Sequence, residues 1–192
     1  MKYKDFLSWV DMPKFAEACN NICHATVLNE STNRMMKEKF IIGALQKCNH
    51  QNNIDWTDER DFDVKFTDWE NPLVEVKTGN TPLFSPKTGK PKKQIKIKLK
   101  NVYESKSQRT NLDKLFDHLM IVQIQGTVAV GFVDYDTVKD HLVMLTDGFL
   151  VKMPFDLVKI VYTKDMRDSY PSWQINFDPK TWVLSQLTEA GL

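Results

Sequence analysis

At 192 residues the chain is long enough for one domain with a real core. Its composition, 42% hydrophobic and 27% charged, is ordinary for a soluble globular protein, and it contains no apolar run of the length that a membrane-spanning helix requires. The net charge of +1 is unevenly spread: residues 87–109 hold eight lysines and Arg109 against the single acid Glu104. That stretch nets +8 and the rest of the chain is acidic, an asymmetry that points to a polyanionic partner. The start, MKYKDFLSWVDMPKF, has an acid at position 5 and lacks the apolar core of a secretory signal. Cys19, Cys23 and Cys48 are an odd set, which points to reduced thiols and a cytoplasmic protein. The spacing of Cys19, Cys23 and His24 matches neither a zinc knuckle nor a haem attachment site, so these cysteines are read as structural.

Residues 2–10 and 12–28 are expected to be short helices, with Pro13 in the first turn of the second and Phe15, Ala18, Cys19, Ile22 and Cys23 at helical spacing. A longer helix is predicted over 32–48, capped by Ser31 or Thr32. Met35, Ile41, Ile42 and Leu45 fall on one side of it, and Glu38 lands in the middle of that stripe. A carboxylate there needs a partner or a metal, unless it snorkels outward or pairs with Arg34. Residues 49–60 read as polar and irregular, and 80–93 as a Pro/Gly loop.

Two strands are predicted within 61–79, joined by a turn centred near Trp69. Phe62, Val64 and Phe66 alternate with Asp61, Asp63 and Lys65; Val74 and Val76 alternate with Leu73, Glu75 and Lys77. With that centre Asp63 faces Glu75 and Asp61 faces Lys77, with opposed Cβ atoms roughly 4.5–5.5 Å apart. Two carboxylates so placed repel unless a cation sits between them, and Mg²⁺ is commonly held by one or two carboxylates plus waters and phosphate oxygens. Asp61 shares the face of Asp63 and is its rival, and a plain solvated hairpin would show the same alternation.

Residues 94–100, QIKIKLK, alternate strictly and predict a strand with Ile95, Ile97 and Leu99 on one face and Lys96, Lys98 and Lys100 on the other. Lysines blunt sheet edges, but the neighbouring Lys92, Lys93, Lys106 and Arg109 favour a phosphate-tracking face. A helix is expected from Ser107 to about His118, and the backbone N–H groups and charge of Lys106, Ser107, Gln108 and Arg109 would seat a phosphate at its start. LMIVQI and VAVGFV read as buried strands, 137–141 as a short helix, 142–164 as one or two strands, and the tail from about Pro179 as a helix. His24, His50, His118 and His141 show no metal or triad spacing, and there is no nucleophile elbow or glycine-rich phosphate loop.

The order helix, strand, strand with Glu75-Val76-Lys77, basic helix, strand, with Asp63 upstream and Glu38 in the preceding helix, resembles the PD-(D/E)xK nuclease superfamily over residues 32–125. Acid-x-Lys also occurs at Asp63, Glu104 and Asp178, but only Glu75 has apolar strand context with an upstream acid and a basic helix following. Phe62 stands where the family pattern has proline. The resemblance implies an α/β fold of restriction-endonuclease type, a mixed central sheet flanked by helices. It implies a single nuclease domain over 1–192, with a catalytic core at about 32–135 and specificity or dimerisation elements in 136–192. It implies Asp63 and Glu75 as ligands of Mg²⁺, with Mn²⁺ able to substitute, joined by the Val76 carbonyl and Glu38. Lys77 would orient or help deprotonate the attacking water. The expected activity is Mg²⁺-dependent cleavage of double-stranded DNA by a homodimeric restriction-type enzyme. Base readout would fall to loop 80–93 or to aromatic residues of the C-terminal third. A junction resolvase or nickase on the same fold, or a non-catalytic nucleic-acid-binding module, are the alternatives.

Overall fold

The computed structural model describes residues 2–25, 30–57, 62–100, 116–145 and 148–169. Three helices lead: α1 (Lys2–Trp9), α2 (Met12–Ala25) and α3 (Glu30–Cys48). Three strands follow: β1 (Ile54–Trp56), β2 (Val64–Phe66) and β3 (Leu73–Gly79). Then come β4 (Gln94–Lys100), β5 (His118–Gln123), β6 (Thr127–Asp134), α4 (Tyr135–Asp140), β7 (Leu142–Leu145), β8 (Gly148–Pro154), one 3-10 turn (Phe155–Leu157) and β9 (Lys159–Asp165). The fold is mixed α/β. None of the helices among the described residues is long and apolar enough to cross a membrane.

The strands divide between two sheets according to their side-chain pattern. β5 and β6 are apolar on both faces, so they are stable only in the middle of a covered sheet. They are the inner strands of a six-stranded sheet with the order β1-β2-β3-β5-β6-β9, antiparallel except where β3 runs parallel to β5. β4, apolar on one face only, sits instead at the edge of a three-stranded antiparallel sheet, β4-β8-β7. Phe6, Trp9, Phe15, Ile41 and Leu45 of the first three helices close over Phe66, Val74, Val76 and Phe132 on one face of the main sheet. The small sheet packs on the other face, with Ile95, Ile97, Leu99, Val151 and Met153 against Leu119, Ile121 and Val133, joined by Tyr135 and Val138 of α4.

Several expectations are corrected. The cover of the main sheet is more specific than expected: among the described residues α1, α2 and α3 cover one face, and the small sheet with α4 covers the other. Ser31 and Thr32 lie inside α3, which starts at Glu30, rather than capping it. Residues 49–60 include a strand, β1, too short at three residues to leave an alternation in sequence. Residues 142–164 hold strands of both sheets, β7, β8 and most of β9, rather than one or two. The predicted helix from Ser107 cannot reach His118, which opens β5; residues 107–115, Lys106 and the tail helix lie outside the described residues.

The turn of the acidic hairpin is centred on Trp69, since Val64 pairs with Val74 and Lys65 with Leu73. Its polar residues Thr67, Asp68, Glu70 and Asn71 are exposed, but its centre is not. The Trp69 indole is buried, 4.7 Å from the Phe66 ring and within 6 Å of Tyr3, Trp9, His118 and Phe132. The aromatic cluster anchors the hairpin to α1 and so fixes where its charged face lies.

Loop 80–93 is pinned from below by Gln123, which is wholly buried at the end of β5. Its Oε1 accepts from the backbone N–H groups of Leu83 (2.8 Å) and Phe84 (2.7 Å), and its Nε2 donates to the carbonyls of Phe84 (3.2 Å) and Gln125 (3.0 Å). Gly89 takes φ +66°, the left-handed turn that glycine adopts without strain. Gln123→Leu keeps the volume but strands two N–H groups, at about 1–3 kcal/mol each. The expected outcome is faster native-state trypsin cleavage after Lys87, read by mass spectrometry, with the wild-type loop resisting under the same conditions.

Candidate metal centre

β2 pairs with β3 only over Leu73 and Val74. From Glu75 onward, the outer edge of β3 has no strand partner among the described residues. The middle of α3 lies against this edge: Lys37 Nζ donates to Asn80 Oδ1 (3.0 Å), and Glu38 Oε1 accepts from Lys77 Nζ (3.0 Å). This explains how a helix residue reaches two side chains of β3 that point away from the helix-covered face. Glu75 and Lys77 pair in register with Leu119 and Ile121, which belong to the core under the small sheet.

Asp63 immediately precedes β2, and the pairing register extended by one residue sets it opposite Glu75. Its carbonyl accepts from the Thr57 N–H (2.9 Å) and its own N–H donates to the Val74 carbonyl (3.0 Å). Its Oδ2 accepts from the Val76 N–H (2.8 Å). The side chain thus takes the place of a strand partner at the Val76 N–H. In an extended strand the N–H and C=O of a residue point to the same edge, so the Val76 carbonyl also faces the Asp63 side.

Oxygens of Glu38, Asp63 and Glu75 all lie within 4.8 Å of one another. Lys77 Nζ is 2.5 Å from Glu75 Oε1 as well as 3.0 Å from Glu38. The group is not a solvated face: side-chain exposure is 15% at Glu75, 22% at Lys77 and 27% at Glu38. Burial, with the neighbouring Asp63 and Glu38 adding to it, pushes the Glu75 carboxyl up to about 8 against the pull of Lys77. Burial and Asp63 likewise raise Glu38. Burial opposes the Lys77 charge, but Glu75, Glu38 and Asp63 outweigh it and hold the ammonium above the ordinary lysine range. One ammonium therefore serves three carboxylates, and the shortage of positive charge is carried as a proton affinity at Glu75.

The donor set fits a hard divalent cation. It offers carboxylate oxygens with a carbonyl beside them and no sulfur or imidazole, which excludes the preferred ligands of zinc. Oxygens around an octahedral Mg²⁺ ion stand about 2.9 Å apart when adjacent and about 4.2 Å apart when opposite, so the three carboxylates, within 4.8 Å of one another, would draw inward on a bound ion.

Of the residues marked in sequence, Glu38, Asp63, Glu75 and Lys77 come together, with the Val76 backbone beside them. Glu38 forms an ion pair with Lys77, while the Arg34 side chain lies outside what the structure describes. Asp61 lies outside the described residues. Lys92 donates its ammonium to the Thr81 carbonyl and so braces loop 80–93. Lys93, Lys96 and Lys98 are exposed, the backbone of Lys100 ends β4, and Lys106, Ser107, Gln108 and Arg109 are among the residues not described. Lys152 stands directly opposite Lys96, a neighbour that becomes known only from the pairing of β8 with β4. No family model matches the chain, and no curated protein matches it.

Glu75 titrates higher in the folded state than its ordinary 4.5, so its ionisation weighs against folding as pH rises from about 4.5 to about 8. In the metal-free protein, urea midpoints are expected to fall across that window. Glu75→Gln is expected to flatten the fall, matching wild type near pH 4 and exceeding it near pH 8.

Proposed function

We propose that the chain is a divalent-cation-dependent endonuclease of the PD-(D/E)xK kind acting on double-stranded DNA. The observation that carries this reading is the convergence of Glu38, Asp63 and Glu75 oxygens within 4.8 Å, with Lys77 in the same group. An acid at the end of one strand, acid-x-lysine on its antiparallel neighbour and a helix carboxylate meet at an open sheet edge. The mixed sheet with its single parallel pair, β3–β5, is compatible with a restriction-endonuclease-like core.

In this reading Glu38, Asp63 and Glu75, with the Val76 carbonyl, hold Mg²⁺ or Mn²⁺. The bound cation would lower the pKa of a coordinated water and neutralise charge developing on the phosphate. Asp63 is pre-set, because its Oδ2 is fixed by the Val76 N–H while Oδ1 remains to be offered. Lys77 stays protonated and is therefore no general base. Its ammonium instead orients the attacking water and a phosphate oxygen, once cation binding relieves it of neutralising Glu75 and Glu38. Cutting both strands of a duplex is simplest in a homodimer with two related sites.

The decisive assay is incubation of supercoiled plasmid and of branched DNA with the protein, with and without Mg²⁺ or Mn²⁺. Wild type is expected to yield fragments at fixed plasmid positions only with the cation; cutting confined to branched DNA would place it among the resolvases. Glu75→Ala and Asp63→Ala are expected to lose both cleavage and the rise in melting temperature caused by Mg²⁺. Lys77→Ala is expected to retain that rise but cut at least about 100-fold more slowly. Wild type that never cuts, or a Glu75→Ala variant that cuts equally well, overturns the reading.

The rise in melting temperature also carries a pH signature. Cation and proton compete for Glu75, so the Mg²⁺-induced rise is expected to be larger near pH 8.5 than near pH 6. Differential scanning fluorimetry at the two pH values measures it.

A further inference from the structure

The small sheet has an outer face that the core does not use. Ile95, Ile97, Leu99, Phe149, Val151 and Met153 turn inward. The alternate positions turn outward, and there Lys96, Lys98 and Lys152 are exposed. The three strands contain four lysines and no aspartate or glutamate.

Pairing concentrates this charge. Lys96 sits directly opposite Lys152, and Lys98 opposite Leu150, which makes Lys98 the diagonal neighbour of Lys152. Opposed Cβ atoms are about 4.5–5.5 Å apart, and residues two apart on one strand about 6.8 Å. Like charges directly opposite each other destabilise a sheet. Blunting an edge needs lysines on the edge strand alone, whereas Lys152 lies on β8, the central strand of this sheet. The directly opposed pair Lys96 and Lys152, in strands that hold no acid, matches a ligand of dense repeating negative charge, with Lys98 flanking the pair. Duplex DNA carries one charge per about 1.7 Å of its axis.

The face also lies on the relevant side of the molecule. Leu73 packs into the core beneath the small sheet, and Glu75 and Lys77 project from the same face of β3 as Leu73. The carboxylate cluster and the lysine face are thus both on the small-sheet side of the main sheet.

We propose that the outer face of the small sheet, centred on Lys96, Lys98 and Lys152, binds the phosphate backbone of duplex DNA independently of base sequence. The charge argument stands alone, while the choice of DNA as the polyanion rests on the nuclease reading. Lys152 joins the contact set, and Lys92 leaves it for its bond to Thr81.

The test is fluorescence anisotropy of a labelled duplex of about 30 base pairs, without divalent cation so that no cutting occurs, over a range of KCl concentrations. Lys96→Glu combined with Lys152→Glu is compared with wild type and with Lys139→Glu combined with Lys159→Glu. The control pair carries the same charge change at exposed lysines outside the small sheet. Far-ultraviolet circular dichroism and melting temperature establish that each variant is folded. The first pair is expected to bind at least about 10-fold more weakly near 0.1 M salt, and to lower the slope of log K against log salt by about 2. The control pair is expected to change the slope by less than half as much. Equal slopes for wild type and the first pair, equal losses in both pairs, absence of wild-type binding, or tighter binding of polyglutamate than of DNA each overturn the proposal. Cleavage by wild type is scored separately: a slope change without any cleavage removes the nuclease reading and leaves the surface. Cleavage without a slope change does the reverse.

Discussion

The structure turns on an imbalance of charge at one strand edge. Glu38, Asp63 and Glu75 gather around Lys77, and a single ammonium cannot neutralise three carboxylates withdrawn from water. Such a group persists only where surrounding packing enforces it. The enforcement is visible in the aromatic cluster around Trp69, in the core stripe of α3 and in the bond from Asp63 to the Val76 N–H. Polar residues brought together at an energetic cost, on a rigid frame, are what a cation-binding centre requires.

The two sheets divide the work. The main sheet, with helices on one side, supplies the rigid frame and the cluster. The small sheet covers the opposite side and turns its lysines outward. The parallel join of β3 to β5 links these roles, because parallel neighbours cannot be connected by a tight hairpin. The chain between them must leave the sheet and return, and on the way it builds loop 80–93 and β4.

How much of this was legible in sequence depends on range. The register of the acidic hairpin was readable from its turn centre, because a residue's partner across a hairpin is set by counting. β4 was readable to the residue, because strict alternation over seven positions has one interpretation. Glu38 was flagged as a carboxylate in an apolar stripe, but its partner was not, since Lys77 is remote in sequence and arrives through tertiary packing. The division into two sheets was not legible either. A one-sided strand such as β4 and a two-sided one such as β5 signal different degrees of cover, not which sheet each joins. β1 was missed because three residues are too few to show a period, and Lys152 because its significance lies in the residue across from it.

The edge of β3 beyond Val74, which has no strand partner among the described residues, has a meaning apart from chemistry. A strand edge without a neighbour is a template on which another chain can add itself, the first step of aggregation. Here that edge is guarded by the side chain of Asp63, by Lys37 reaching Asn80 and by the charges of Glu38 and Lys77. The residues that make the cluster therefore also occupy the edge on which a foreign strand would add itself.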